Sequence, residues 1–242
     1  MYTFTSRIRY SETDEALQLT VPALVDYFQD CTTFQAEDLG IGLSYLGSRH
    51  LAWILNYWQI EITRRPSLGD TVRIGTSPYA LHGFIGERNF LMEAEDGTCL
   101  ARAASLWSLM DLAEMRPMRI TQEMKDRYEL FAPFDMDVLP RKIALPEEGG
   151  CTLTPVTVER AHLDSNHHVN NARYVQLSLA ALEEANVPAA KVSRLRVEYC
   201  AQAHLGDTLT PVYFAGEDGT HLLALCGNDG KAFSVTELLT AP

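Results

Sequence analysis

The sequence reads I-E-I-T-R-R-P-S-L-G-D-T-V at Ile60–Val72 and V-E-Y-C-A-Q-A-H-L-G-D-T-L at Val197–Leu209. Glu61 aligns with Glu198, and the run Leu-Gly-Asp-Thr recurs at the same place in both stretches. A pattern that recurs within one chain is the signature of a duplicated structural unit.

Two further pairs of segments repeat in the same order. Asp14 and Asp164 each open a stretch that leads into a helix-like segment. Farther along, F-L-M-E-A-E-D-G at Phe90–Gly97 is echoed by L-L-A-L-C-G-N-D-G at Leu222–Gly230. Three echoes in one order indicate that the chain contains the same unit twice.

Each copy is predicted to hold one long helix followed by several strands. The first helix should begin at Thr20, a suitable N-cap, and end near Leu39. The second should begin at Asn170 or Asn171 and end near Ala185. Turns containing Gly-Asp and Asp-Gly separate the β segments. One helix and several antiparallel strands per copy predict an α+β fold with the helix laid across a curved sheet.

The chain should divide into domains at 1–128 and 151–242. The segment 129–150 between them contains three prolines and ends in Gly149-Gly150, which favours a linker.

Composition narrows the function further. With 242 residues, 46% of them apolar and 21% charged, the chain is predicted to be globular. A net charge of −12 argues against a nucleic-acid binder and against adhesion to anionic membranes. No signal peptide or membrane-spanning run is expected. The five scattered cysteines suit reduced thiols and a cytoplasmic location rather than disulfides or a zinc site.

The sharpest local pattern is H-L-D-S-N-H-H-V-N-N-A-R-Y at His162–Tyr174. Asp164, Asn166 and His168 are spaced by two, so in an extended chain their side chains would point to one side. They would converge just before a helix start, where free N–H groups and a partial positive charge stabilise a developing oxyanion. We therefore predict a catalytic cluster rather than a simple helix cap, which needs only one such residue.

Other interpretations of the neighbouring residues are structural. The spacing of the four nearby histidines fits no zinc pattern, so no metal site is expected, and no cofactor is expected either. Cys200 is expected to be a buried strand residue, and Glu198, which has its twin in Glu61, is expected to be structural.

The motif D-x-N-x-H-V-N-N-x-x-Y resembles the acyl-acyl-carrier-protein thioesterases of bacteria and plant plastids, which consist of two hotdog folds fused in one chain. The segments Ala101–Asp111 and Arg9–Asp14 match the same family. The resemblance implies two tandem hotdog domains, each a long helix packed on a curved antiparallel sheet.

The resemblance also implies roles for individual residues. The family's catalytic Asp, Asn and His fall on Asp164, Asn166 and His168. An acidic residue and a neighbouring cysteine assigned roles in plant members align with Gln202 and Ala203 here, a departure that disfavours a cysteine nucleophile. Our hypothesis is that Asp164 activates water or attacks the thioester directly. Asn166 and Gln202 would position the water or the carboxylate, and His168 would orient the thioester or assist proton transfer.

Comparison of the two copies predicts a single active site. The first copy has Ala16, Gln18 and Arg65 where the second has Asn166, His168 and Gln202. The domain 1–128 should therefore supply the acyl pocket and a degenerate site, with aromatic residues as candidates for the lining: Trp53, Tyr57 and Trp58.

The predicted reaction is hydrolysis of fatty acyl-acyl carrier protein to free fatty acid, which terminates fatty acid synthesis. Alternatives are an acyl-CoA thioesterase on the same fold and a non-catalytic acyl-binding regulator. The partner would be an acidic acyl carrier protein, with the chain itself a monomer or homodimer. Six basic residues around the linker form either its docking patch or an ordinary solvated face: Arg116, Arg119, Lys125, Arg127, Arg141 and Lys142.

Overall fold

The computed structural model describes residues 1–188 and 191–240. The chain forms two compact units. Unit 1 contains Met1–Asn56 and Ile62–Val138, and unit 2 contains Tyr57–Glu61 together with the chain from Leu139 onward. The boundary between the units falls inside the segment predicted as a linker.

Unit 1 is an antiparallel sheet with one long helix packed on it. The sheet order is β1-β3-β4-β5-β2, and a short β6 pairs with β5. In chain order its elements are β1 (Tyr2–Arg7), α1 (Val21–Asp38), α2 (Leu43–Gly47), β2 (Leu51–Ile62), β3 (Thr71–His82), β4 (Ile85–Ala94), β5 (Cys99–Asp111), β6 (Arg116–Pro117) and α3 (Gln122–Arg127).

Unit 2 repeats this plan. Residues 57–61 of β2 pair with β9, and the order continues β9-β12-β11-β10-β7, with β8 beside β10. Its own elements are β7 (Cys151–Thr152), β8 (Val156–Thr157), α4 (Asn171–Glu184), β9 (Val192–Tyr199), β10 (Thr208–Ala215), β11 (Thr220–Cys226) and β12 (Ala232–Thr240).

Both predicted helices are confirmed. The Thr20 hydroxyl accepts a hydrogen bond from the Ala23 backbone N–H, and the Asn170 side chain accepts one from Ala172. Such caps satisfy N–H groups that lack a partner in the first turn. Helix α1 then buries an apolar face on the sheet, where the Phe28 and Phe90 rings lie 5.3 Å apart.

The duplication is visible in the backbone hydrogen bonds. In unit 1 the Ile8 N–H donates to Asp70 O, and in unit 2 the Val158 N–H donates to Asp207 O. In unit 1 this bond joins the residue after β1 to the turn before β3. In unit 2 the corresponding bond joins the residue after β8 to the turn before β10. This agreement supports the alignment drawn from the sequence.

The segment 129–150 contains no helix or strand, but parts of it are hydrogen-bonded to the unit in which they lie. Phe131 N–H donates to Pro78 O within unit 1, and Ile143 N–H donates to the Glu198 carboxylate within unit 2. Ile143 is also only 4% exposed. Among the described residues, no helix is long and apolar enough to cross a membrane.

Candidate active site

The Asp164 segment is a closed loop, not an extended strand. The Asp164 N–H donates to His168 O (2.8 Å) and the His167 N–H donates to Asp164 O (3.1 Å). Asp164 Oδ1 accepts the backbone N–H groups of Asn166 (2.8 Å) and His168 (3.4 Å). Our prediction of an extended conformation here is wrong, because the carboxylate competes for the local N–H groups and folds the chain into a turn.

The loop ends where helix α4 begins. Asn170 N–H donates to His162 O (2.9 Å), which ties the two ends of the loop together. Asn170 then caps the helix, so Asp164 is not needed as a cap. The Asp164 side chain is instead half-buried, and in the described chain no hydrogen bond or ion pair occupies its Oδ2 atom. One carboxylate oxygen is thus held in place while the other is available.

The equivalent aspartate of unit 1 is in a different state. Asp14 Oδ1 accepts two backbone N–H groups in the same way, but Asp14 Oδ2 lies 2.7 Å from Arg65 Nη1. Arg65 Nη2 also donates to Gln18 Oε1 (2.9 Å). Burial alone would raise the pKa of Asp14, but hydrogen bonds from Gln18 N–H and Arg65 outweigh it and lower the pKa. The first copy therefore holds its aspartate in an ion pair.

A second loop, between β9 and β10, lies beside the Asp164 loop. Val169 N–H donates to Ala203 O (3.0 Å), as Leu19 N–H does to Pro66 O in unit 1. This correspondence places Gln202 at the position of Arg65, as the sequence alignment predicted.

Tyr174 of helix α4 anchors the second loop. Its hydroxyl accepts the buried Ala203 N–H (2.8 Å) and donates to Ala201 O (3.4 Å). Burial and two nearby carboxylates, Asp207 and Asp164, raise the pKa of Tyr174 to about 12, so the phenol stays neutral. Tyr174 is the last residue of the motif at His162–Tyr174, but the sequence predicted no role for it.

His168 and His204 meet across the two loops. Their ring centroids are 4.8 Å apart with an interplanar angle of 80°, an edge-to-face contact. Burial and the charge of His204 lower the pKa of His168, with Asp164 acting in the opposite direction. His168 is therefore a neutral imidazole at neutral pH and can accept a proton.

The structure brings Asp164 and His168 together in one loop. The amide side chains of Asn166 and Gln202 instead lie at the exposed surface of the two loops. Asn166 and Gln202 are exposed, and within residues 1–188 and 191–240 neither side chain has a hydrogen-bond partner. Their predicted positioning roles remain predictions, since, of these two residues, only the backbone N–H of Asn166, and neither amide side chain, hydrogen-bonds to Asp164.

Cys200 differs from its prediction. It follows the end of β9 and is exposed, so the expectation of a buried strand residue is wrong. Shielding of its sulfur from water, followed by the charge of Glu198, raises the pKa of the thiol to about 11. A thiol with this pKa is not a thiolate at neutral pH and is a poor nucleophile.

Among the described residues, no three His, Cys, Asp or Glu side chains are grouped closely enough to hold a metal ion.

The aromatic candidates for the acyl pocket are largely enclosed: Trp58 is 0% exposed, and the Tyr57 hydroxyl accepts a hydrogen bond from Arg196 (2.9 Å). Trp53 is half-buried against a hydrophobic cluster that includes Leu109.

The six basic residues fall in different places. Arg116 and Arg119 line a groove of about 600 Å³ in unit 1, beside Phe84 and Asp111. Lys125 and Arg127 lie in the last turn of α3, whereas Arg141 and Lys142 belong to unit 2.

Comparisons with known proteins agree with this architecture. Residues 1–128 match the acyl-ACP thioesterase N-terminal domain and residues 148–226 match the C-terminal domain. The chain is 30% identical over 79% of its length to oleoyl-acyl carrier protein thioesterase 2, chloroplastic, of Arabidopsis thaliana, covering 57% of that protein. It is 26% identical over 95% of its length to thioesterase 1 of the same plant, covering 66%. The chain thus spans less than two thirds of these curated relatives.

Two solved structures share the fold. An acyl-ACP thioesterase from Bacteroides thetaiotaomicron aligns with a TM-score of 0.87 at 21% identity, over 99% of this chain and 97% of that one. The 12:0-ACP thioesterase from Umbellularia californica aligns with a TM-score of 0.87 at 20% identity, over 100% and 97%. These likenesses confirm the predicted α+β fold of tandem hotdog domains.

Proposed function

The chain belongs to the acyl-ACP thioesterase family, and from that premise we propose that it hydrolyses fatty acyl-acyl carrier protein to free fatty acid and carrier protein. This reaction would terminate fatty acid synthesis. The curated relatives are named as oleoyl-acyl carrier protein thioesterases, which supports both the thioester bond and the carrier as the substrate.

The observation that carries the proposal is the difference between two equivalent aspartates. Asp14 is neutralised by Arg65, whereas Asp164 keeps one oxygen available in a loop that also presents His168. A carboxylate that is fixed by backbone N–H groups but not paired with a cation can act as a general base or as a nucleophile. We therefore assign the chemistry to domain 151–242 and acyl-chain binding to domain 1–128.

The proposed step uses groups of unit 2. Asp164 removes a proton from water, and the water oxygen bonds to the thioester carbonyl carbon. Alternatively, the Asp164 carboxylate attacks that carbon directly, and a water then hydrolyses the resulting mixed anhydride to free fatty acid and the regenerated carboxylate. After either attack the C–S bond breaks, and the sulfur leaves readily because a thiol has a pKa near ~8.5. Neutral His168 orients the thioester or carries the proton to the departing sulfur. Asn166 and Gln202, both at the exposed edge of the loops, position the water or the carboxylate.

We also propose a reducing, cytoplasmic location for the enzyme. All five cysteines are free thiols, which supports this location. The groove beside Arg116 and Arg119 offers a basic contact for an acidic carrier protein. We propose either a monomer or a homodimer, since the two fused hotdog units are both present in one chain.

The test is thiol release from matched acyl-carrier-protein and acyl-CoA substrates, with chains from eight to eighteen carbons. We expect fast release from the carrier protein that is lost in Asp164→Ala and kept in Asp14→Asn. Equal or faster release from CoA would replace the carrier protein with CoA as the substrate. Binding of acyl groups without release from either would overturn the hydrolase in favour of an acyl-binding protein.

A further inference from the structure

Two loops of unit 2 place one histidine on each side of a backbone hydrogen bond. Val169 N–H donates to Ala203 O, with His168 just before the donor and His204 just after the acceptor. Their rings meet edge to face at 4.8 Å. His204 therefore covers part of the half-buried His168 ring from the loop that follows β9.

Asp207 fixes His204 from the other side. The His204 backbone N–H donates to Asp207 Oδ2 (2.8 Å), and His204 Nδ1 lies 3.8 Å from the same oxygen. The opposite end of the loop is pinned by the Tyr174 hydroxyl through Ala203 N–H. His204 is thus held through its backbone, and its ring, although 60% exposed, lies close to the Asp207 carboxylate.

Comparison with unit 1 separates the turn that both copies share from the histidine contact found in unit 2. There the Ser67 N–H donates to Asp70 Oδ2 (2.9 Å), the same turn as His204 and Asp207. The partner positions, however, are Gln18 and Ser67, which form an isolated bridge. The turn is common to both copies, but among the described residues the edge-to-face histidine pair occurs only in the copy whose aspartate has no ion pair.

We propose that His204 is a positioning residue for the hydrolysis, holding the His168 imidazole against the Asp164 loop while Asp207 holds His204. This inference rests on the proposed function. His204 does not touch the reacting atoms in this scheme; it sets the orientation of the ring that does.

The charges around His168 also determine its protonation. Asp164 and His167 face it from its own loop, and His204 faces it from the second loop with Asp207 behind. Tyr174 of α4 stays neutral beside them. Burial and His204 both lower the pKa of His168, which keeps the imidazole neutral and able to accept a proton.

Two substitutions separate the ring contact from the charge. His204→Phe keeps an aromatic edge but removes the charge, and His204→Gln removes both. Ser67→Ala, at the same place in unit 1, is the matched control. We would measure kcat and KM on acyl-carrier-protein substrate across pH, and titrate the His168 ring by NMR with His168→Gln for assignment.

We expect His204→Gln to lose up to about 10²-fold in kcat with little change in KM, the size expected when a reacting group is displaced by about 1 Å. His204→Phe should keep most of kcat. In both, removal of the His204 charge should raise the His168 pKa and move the acidic limb of the pH profile to higher pH. Ser67→Ala should behave as wild type.

Wild-type kcat and pH profiles in both His204 variants, with Asp164→Ala inactive, would overturn this inference and leave the proposed function standing. Absence of thiol release in the wild type would overturn the proposed function instead. The NMR titration would still decide the inference in that case, because an unchanged His168 pKa in both variants contradicts it.

Discussion

Arg65 Nη1 lies 2.7 Å from Asp14 Oδ2, and this ion pair marks the difference between the two copies of the duplicated unit. The Asp14 and Asp164 loops have the same backbone hydrogen bonds, down to the two N–H groups that each carboxylate accepts. Where unit 1 has the arginine, unit 2 has the exposed Gln202. The two loops thus share their backbone hydrogen bonds, and the cation of Arg65 neutralises the carboxylate in one of them.

The first prediction contrasts the two aspartates. Asp164→Asn should lower kcat by about 10²–10⁴-fold, the usual cost of losing a general base, while keeping the loop's backbone contacts. Asp14→Asn, which changes the equivalent loop in the same way, should turn over at close to the wild-type rate. Steady-state thiol release measures both. Comparable losses in the two variants would contradict a single active site.

The second prediction concerns stability and pH. The pKa of Asp14 is lowered from its ordinary value of 3.8, so the ion pair with Arg65 stabilises the fold above that pH. Asp14→Asn should cost about 1 kcal/mol at neutral pH, because the ion pair with Arg65 is partly exposed and solvent screens it. This difference should shrink as the pH falls through the lowered pKa. Urea unfolding at several pH values measures it, and a pH-independent difference would exclude this role for the carboxylate charge.

The features that the sequence predicted are those set by local contacts. Thr20 and Asn170 cap helices that begin where expected, because a cap depends on residues two or three positions away. The alignment of Gln202 with Arg65 was also correct, because the repeated loops share one hydrogen-bond pattern.

The features that the sequence did not predict depend on contacts between residues far apart in the chain, or on side chains that accept hydrogen bonds from their own loop. Tyr174 reaches Ala203, 29 positions away, and His168 meets His204 only after folding. The spacing of Asp164, Asn166 and His168 suggested an extended chain, but an aspartate that can accept nearby backbone N–H groups favours a turn instead. The sequence showed which residues were present in the site without showing how they are held.

The third prediction tests the anchor of the second loop. Tyr174→Phe leaves the buried Ala203 N–H without its acceptor, which should cost about 1–3 kcal/mol of stability. It should also lower kcat, because the loop bearing Gln202 and His204 becomes mobile. Tyr199→Phe, which removes a hydroxyl that donates to Asn171 O, is the control and should lower stability without the loss in kcat. Equal kcat in the two variants would show that Tyr174 serves stability alone.

The fourth prediction addresses Cys200, which lies between β9 and the loop that carries Gln202 and His204. Because the pKa of the Cys200 thiol is raised to about 11, it should be protonated at neutral pH and react slowly with iodoacetamide. Cys200→Ala should retain the wild-type kcat and pH profile. Mass spectrometry of the alkylated protein and steady-state kinetics check both points. Inactivation by alkylation together with an inactive Cys200→Ala would restore a cysteine nucleophile.

The last prediction concerns the carrier protein. Arg116 and Arg119 line the groove in unit 1 together with the exposed ring of Phe84, so an acidic partner can contact charge and apolar surface there. Reversing both charges to glutamate should raise KM for acyl-carrier-protein severalfold and leave kcat near its wild-type value, because rim charges act mainly on association. The effect should weaken as salt is added, since exposed charges are screened. Lys191→Glu combined with Lys231→Glu changes the net charge by the same amount at two exposed residues, and this double variant is the control. If the control raises KM as much as reversal of Arg116 and Arg119 does, overall charge rather than this groove governs the encounter. If reversal of Arg116 and Arg119 raises KM equally for a short acyl thioester without the carrier, the groove serves the acyl chain and not the protein partner.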